Sequence, residues 1–386
     1  MIKRTAHNTI MRLAKGFPVV AITGPRQSGK TTLARSAFPG KPYLTLEDPD
    51  TRLFAETDPR GLLSSYPDGL ILDEAQRAPR VFSYLQGVVD SHLVPGKYVL
   101  TGSQQFGLLS GITQSLAGRV GMMQLLPFAM DELQAAGMLP DDVDHLMLYG
   151  MYPPLYDRDL APADWFPAYV NTYIERDVRQ LINIRDLSLF QRFIRMCAAR
   201  SGQLLNLSSL ATDCGITHST AAAWISVLEA SYIIFLLRPH FSNFTKRLVK
   251  TPKLYFLDTG LAAWLLGIKE QGQITFHAQR GALFENLVVT EFLKGRFNRG
   301  QQADLHFWRD SKGLEVDLLL DDGASLTPVE IKSGQTIAAD SHLALKKWCE
   351  LSGTTDRRAL LIHGGDKELT NGNISFIPWR KLAAAI

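Results

Sequence analysis

A chain of 386 residues exceeds the size at which one hydrophobic core stops growing, about 250–300 residues, so a single small module is excluded and several domains are expected. With 46% hydrophobic and 20% charged residues, intrinsic disorder, collagen-like sequence and long coiled coil are excluded as well. The net charge of +3 does not by itself imply a nucleic-acid partner, but residues 131–165 carry eight acidic residues against one basic, and residues 187–255 carry eight basic against two acidic, an asymmetry expected of domains with different partners.

The three cysteines, Cys197, Cys214 and Cys349, have no C-x-x-C spacing, which supports neither a disulfide framework nor a structural zinc site. The basic start, Lys3 to Lys15, runs into a short apolar piece, Phe17 to Ile22, too short for a signal-peptide core. No later apolar run approaches the roughly 18 residues that span a bilayer. The expected location is cytoplasmic, with no membrane partner.

In chain order, Val19 to Thr23 reads as an apolar strand, followed by Gly24-Pro25-Arg26-Gln27-Ser28-Gly29-Lys30-Thr31 and a helix from Thr31 to Phe38. Gly24, Gly29, Lys30 and Thr31 satisfy G-x-x-x-x-G-K-[ST] in the strand–loop–helix setting that this motif requires. Glycines let backbone amides turn in around phosphates, and the helix adds its positive end. Lys30 then reaches the terminal phosphates and the Thr31 hydroxyl binds Mg²⁺. Two further strands, Gly69 to Leu72 and Tyr98 to Leu100, end on Asp73-Glu74 and on Thr101-Gly102-Ser103. Polar residues gathered at the carboxyl ends of apolar strands are expected of a parallel α/β sheet with its ligand at that edge. Asp73 is the expected partner of Mg²⁺ and Glu74 the base that polarises the attacking water. Ser103 either orients the same water or contacts the γ phosphate, or else is an ordinary turn residue. The motif pair predicts an ATPase whose cofactors are ATP and Mg²⁺.

Arg119 follows a Gly/Ser-rich stretch with no obvious local partner. It is either a solvated arginine or an arginine finger donated in trans, which would make the active form a homo-oligomer such as a hexamer. Arg176 and Arg179 are the other candidates for that role, with a local ion pair as their alternative.

Beyond Phe128 the pattern is helical to about residue 195. Leu207 to Ala211, the turn Cys214-Gly215-Ile216 and Thr217 to Ala230 then read as helix–turn–helix. Two strand-like runs, Ile233 to Leu237 and Lys253 to Leu257, could form a wing. This is the most basic part of the chain. Contact with DNA is therefore expected, with Thr217, His218, Ser219 and Thr220 opening the second helix and Arg192, Arg200, Lys246, Arg247 and Lys250 meeting phosphates. The alternative is a winged helix that packs against protein.

The last region alternates strand and helix. Asp317 and Glu330 lie 13 residues apart across the turn Asp321-Asp322-Gly323, with Lys332 two residues later on the same face. That is the spacing of a PD-(D/E)xK nuclease hairpin, in which Asp317 and Glu330 share Mg²⁺, Lys332 positions water and Glu285 is an outer carboxylate. A fold kept for binding is the alternative.

Gly24 to Thr32, Leu72-Asp73-Glu74-Ala75-Gln76, Thr101-Gly102-Ser103 and Leu116 to Arg119 resemble the prokaryotic AAA+ ATPases that carry the domain of unknown function DUF4143. Tyr255 to Leu261 and Gly281 to Asn286 extend the resemblance over nearly the whole chain. It implies an α/β P-loop AAA+ parallel-sheet core (residues 1–130), a helical lid (131–186), a winged helix (187–270) and a small α/β nuclease-like terminal domain (271–386). The nucleotide would then be held by Gly24, Pro25, Arg26, Gln27, Ser28, Gly29, Lys30, Thr31 and Thr32. Two departures are Ser103, where the resemblance leads one to expect asparagine, and the turn Tyr149-Gly150-Met151-Tyr152-Pro153, a loosened form of a glycine-glycine-aromatic-proline turn.

Overall fold

In the computed structural model, which describes residues 1–103, 108, 111–112, 114–174, 186–240, 249–355 and 357–386, strand β1 (Val19–Thr23) is buried at all five positions. Its alternate side chains enter two different cores. Val19 and Ala21 join Leu70, Leu72, Tyr98 and Leu100, while Val20 and Ile22 join Ile71, Val99 and Met123. A strand covered on both faces needs apolar residues at successive positions, which is why these runs read as continuous rather than alternating.

The first unit comprises residues 1–136 with 230–232 and 296–302. Its sheet has the order β2-β3-β4-β1-β5, where β2 is Tyr43–Thr45, β3 Ile71–Asp73, β4 Tyr98–Gly102 and β5 Val120–Gln124. All four pairings are parallel. Helices α1 (His7–Gly16) and α2 (Lys30–Ala37) supply Ile10, Ala14, Leu33 and Ala34 to one core. Helices α3 (Pro49–Thr57), α4 (Pro59–Ser64) and α5 (Arg80–Ser91) supply Ala55, Leu62, Phe82 and Leu85 to the other. Helix α6 (Met130–Ala135) follows β5. Since β4 lies between β1 and β3, the carboxyl ends of all three open on the same edge, with Ser103 between the P-loop and Asp73-Glu74.

The second unit comprises residues 137–229, 233–295 and 303–386. It begins with α7 (Val143–Tyr149), α8 (Pro153–Asp157) and α9 (Pro162–Tyr169). Then come α10 (Leu187–Ala198), α11 (Leu207–Cys214) and α12 (His218–Ala230). Asp186 caps α10 and Asn206 caps α11, and Gly215 ends α11 in the left-handed conformation (φ +70°) that favours glycine. After the antiparallel pair β6 (Ile234–Pro239) and β7 (Lys253–Phe256) follow α13 (Thr259–Leu265), α14 (Gln271–Phe276) and α15 (Arg280–Asn298).

Strands β8 (Leu305–Arg309), β9 (Glu315–Asp321) and β10 (Leu326–Lys332), helix α16 (Leu343–Ser352), and strands β11 (Ala359–His363), β12 (Leu369–Asn371) and β13 (Ile374–Pro378) complete the unit. The strands form one mixed sheet of order β12-β13-β11-β10-β9-β8-β6-β7. Arg238 and Pro239 of β6 pair in parallel with His306 and Phe307 of β8, so hydrogen bonds cross the line that the sequence draws at residue 270. Trp308, Leu319, Trp348 and Leu361 fill the core between this sheet and α16. The loosened turn is held by a carboxylate from a later element. Gly150 has φ +72°, and the buried Asp258 carboxylate accepts the Met151 N–H at 2.7 Å as well as capping α13 through Leu261 at 2.9 Å.

No helix among the described residues is long and apolar enough to cross a membrane. Lys246, Arg247, Arg176 and Arg179 lie outside the described residues.

Candidate functional site

The loop after β1 demands glycine at two points. At Gly24 (φ +147°) a Cβ would meet the Leu125 carbonyl oxygen, and Gly29 (φ +91°) opens α2 from the left-handed region. Gln27 also has positive φ, +60°. Within this loop the Lys30 ammonium, buried by its surroundings, donates to the carbonyls of Gly24 at 2.9 Å and Pro25 at 2.7 Å. Burial pushes its pKa down to about 8, against the opposing pull of the Glu74 and Asp73 carboxylates.

Three hydroxyls converge on Asp73. Thr31 donates at 3.1 Å, Tyr43 donates to Oδ2 at 2.8 Å, and Thr101 donates to Oδ1. Burial and the neighbouring Asp73 push the Tyr43 phenol up to about 12, which keeps it a donor. Glu74 sits at φ +53°, a left-handed conformation that costs a non-glycine residue on the order of 1 kcal/mol. Its Oε2 accepts from Ser103 Oγ at 2.9 Å and from Gln76 Nε2 at 2.5 Å. Lys30, Thr31, Asp73, Glu74 and Ser103 thus meet at one edge of the sheet, as their positions at strand ends led one to expect.

Two residues of this site had no signal in the sequence. Arg4, ahead of α1, is 8% exposed and donates to the Ser28 carbonyl at 2.7 Å, the Leu126 carbonyl at 2.7 Å and Glu132 Oε1 at 3.0 Å. Tyr232, buried and at φ +57°, donates to Thr23 Oγ1 at 2.9 Å, directly before the P-loop. A sequence offers no register for partners separated by more than 100 residues.

Arg119 differs from its expectation in one respect. It has a partner, since Nε and Nη2 donate to the two oxygens of Asp90 at 2.5 and 2.9 Å, and Nη1 donates to the Ala117 carbonyl at 3.0 Å. Asp90 lies on α5, 29 residues earlier, which is why no local pairing was visible. Arg119 also precedes β5, whose Val120 is level with Val19. It therefore stands at the amino-terminal edge of the sheet, the end opposite to the P-loop.

In the second unit, Glu285, Asp317, Glu330 and Lys332 are brought together. Lys332 Nζ donates to Glu330 Oε1 at 2.6 Å, and Asp317 Oδ2 accepts the Ile331 N–H at 2.8 Å. Lys253 of β7 joins them, with Nζ 3.0 Å from Glu285 Oε1 and 2.5 Å from Glu315 Oε1. Tyr255 donates to Glu285 Oε1 at 2.6 Å and Arg309 pairs with Glu315 at 3.1 Å. Burial, and then the Glu285 and Glu330 carboxylates, hold the Asp317 carboxyl well above its usual range. Glu330 Oε2 is buried without a hydrogen bond. Among the described residues no group of three or more His, Cys, Asp or Glu is placed to hold a metal ion, and an ammonium already bridges two of the carboxylates. Two carboxylates of the expected metal site are thus paired with ammonium groups, Glu285 with Lys253 and Glu330 with Lys332.

Three family models match the chain. They are an AAA domain over residues 16–134, the domain of unknown function DUF8612 over residues 140–272, and the domain of unknown function DUF4143 over residues 280–382. Two uncharacterized proteins, Rv2008c of Mycobacterium tuberculosis and Mb2031c of Mycobacterium bovis, are each 31% identical over 340 residues, 86% of this chain and 74% of theirs. Among solved structures, the Walker-type ATPase PABY2304 of Pyrococcus abyssi aligns at 14% identity and TM-score 0.46, over 69% of this chain and 96% of that one. DnaA from Aquifex aeolicus, bound to AMPPCP, aligns at 14% identity and TM-score 0.29, over 58% and 85%. With an AAA domain at one end, DUF4143 at the other and relatives matched along most of their length, the chain belongs to the family of AAA-type P-loop ATPases that carry a carboxyl-terminal DUF4143 domain.

Proposed function

We propose that this protein hydrolyses Mg·ATP at the carboxyl edge of its parallel sheet and couples that cycle to contact with DNA. The observation that carries the reading is the convergence of Lys30, Thr31, Asp73, Glu74 and Ser103. Backbone amides from Gly24 to Thr32 would cradle the phosphates, and Lys30 would turn from the loop carbonyls to the β and γ oxygens. Thr31 and Asp73 suit Mg²⁺, because both offer hard oxygen atoms side by side and this ion needs only one or two protein ligands beside phosphate and water. When bound, it draws negative charge from the phosphoryl oxygens. Glu74 takes the proton of the attacking water at Oε1, while Ser103 and Gln76 hold Oε2. The test is Glu74→Gln, which should bind ATP as the parent does and turn it over at least ~10²-fold more slowly. Turnover at the parent rate would remove Glu74 from this role.

The DNA reading rests on α11, α12 and the antiparallel pair β6/β7, an order that suits a winged helix. Leu204, ahead of α11, also bridges Lys253 as a third wing strand would. Thr217, His218 and Ser219 are exposed at the start of α12, and Arg192 on α10 and Lys250 ahead of β7 are exposed as well. Arg200 is engaged by Asp213, which leaves it less suited to phosphate. DNA binding that weakens steeply with salt supports the reading; the absence of any salt-dependent binding removes it.

Homo-oligomer formation is proposed on the place of Arg119, which at the far edge of its own sheet could serve only a neighbour's nucleotide. For the terminal domain, the Lys253 ion pairs favour a domain that does not cleave over an active nuclease.

A further inference from the structure

Lys253 is 3% exposed, and its ammonium touches both Glu285 and Glu315. Those two carboxylates come from different elements, α15 and β9. A buried ammonium with two carboxylate partners is held in place by the cost of leaving its own charge uncompensated. Around it, Arg309 takes the second oxygen of Glu315 and Lys332 takes Glu330. Three cations therefore face the four carboxylates Glu285, Glu315, Asp317 and Glu330. A divalent ion added at Asp317 would be repelled by the buried Lys253 charge.

We infer that the Lys253 ammonium, carried on the wing strand β7 and paired with Glu285 and Glu315 beside the Asp317–Glu330 hairpin, supplies the positive charge that a divalent cation would otherwise bring there, making the DUF4143 domain a metal-free ionic core. The domain then does not cut DNA. Its carboxylates instead tie β7 to α15 and β9, so that the helix–turn–helix segment and the terminal domain move as one piece. The inference concerns sites separate from the P-loop and is independent of the ATPase reading.

The inference predicts a gain as well as an absence. Removing the cation should leave carboxylates that recruit a metal ion. The experiment is a titration of the full chain with Mn²⁺, followed by the electron paramagnetic resonance of the free ion. An Asp73→Asn background, without nucleotide, removes the contribution of the P-loop site. The parent should show no site tighter than about 1 mM, the weak end of divalent-ion binding by proteins. Lys253→Met should gain one site at least ~10-fold tighter, and Lys253→Met with Asp317→Asn should lose it again. Lys253→Gln, which keeps a polar head in the cavity, serves if the methionine variant does not fold by circular dichroism. A parent site abolished by Asp317→Asn would overturn the inference without recourse to either Lys253 variant. So would folded Lys253 variants that gain no site, or Mn²⁺-dependent nicking of plasmid DNA by the parent that Asp317→Asn abolishes.

Discussion

Arg4 donates to the Ser28 carbonyl at 2.7 Å, reaching the nucleotide loop from 24 residues upstream. The same guanidinium holds the Leu126 carbonyl and Glu132, so one side chain fastens the P-loop, the segment after β5 and the start of α6. Glu132 is itself satisfied by the N–H groups of Thr5 and Ala129 at 2.7 and 2.9 Å. The ion pair is almost fully buried, with side-chain exposures of 7% and 0%.

Arg4→Met leaves Glu132 as a buried charge without its cation, and removal of one partner from such a pair costs about 3–5 kcal/mol. Chemical denaturation should show that loss in the midpoint of the first unit's transition. Arg4→Met combined with Glu132→Leu should be less destabilised than Arg4→Met alone. Equal or greater loss in the double variant would mean that the backbone contacts to Ser28 and Leu126, and not the charge pair, hold this corner.

Ser103→Ala removes the hydroxyl that holds Glu74 Oε2 at 2.9 Å. Gln76 continues to bind the same oxygen, so turnover should fall by about 10-fold, less than in Glu74→Gln, where general-base loss is worth about 10²–10⁴. Nucleotide affinity, measured with a slowly hydrolysed ATP analogue, should be unchanged. A loss of affinity equal to the loss of rate would place Ser103 on the phosphate instead of the base.

Burial holds Lys30 at about pKa 8, and bound phosphates would raise that value by supplying negative charge. Binding therefore favours the protonated lysine. Affinity for the ATP analogue should be constant below pH 8 and weaken above it, approaching 10-fold per pH unit. Isothermal titration in buffers of different ionisation enthalpy should report proton uptake on binding near pH 8. Affinity that is flat from pH 7 to 10 would contradict the shift.

Arg119→Ala should fold normally, because the pair with Asp90 is largely exposed and such pairs contribute about 0–1 kcal/mol. If Arg119 serves a neighbour's nucleotide, turnover should drop by about 10³-fold. Mixing Arg119→Ala with Glu74→Gln should then restore part of the activity, since some interfaces regain both residues. Co-assembly without rescue would assign Arg119 to the surface.

The parts of the site that could be read in the sequence are those set by local geometry. Gly24, Gly29, Lys30 and Thr31 are spaced by the loop itself, and Asp73, Glu74 and Ser103 end apolar runs whose burial forces them to one edge. Both faces of β1 are covered, and its unbroken apolar run announced as much. Contacts made by folding back over distance were not legible. Arg4 finds Glu132 across 128 residues and Tyr232 finds Thr23 across 209. Asp90 was hidden from Arg119 because helix α5 and strand β5 meet only in the folded sheet. The hairpin spacing of Asp317, Glu330 and Lys332 was visible, but Lys253 reaches their neighbours from another strand, and no spacing within the hairpin records it.

The sheet that joins β6 to β8 also limits how this gene can be recombined. An exchange of coding sequence between the DUF8612 and DUF4143 segments would have to supply a new terminal piece with a first strand that matches the Arg238–Pro239 edge. The same piece would need acidic residues at the places of Glu285 and Glu315 to receive Lys253. A terminal segment lacking either feature would leave an open strand edge beside a buried, uncompensated lysine. The two segments are therefore expected to be inherited together and to diversify by paired substitution, with free shuffling confined to the far side of β13.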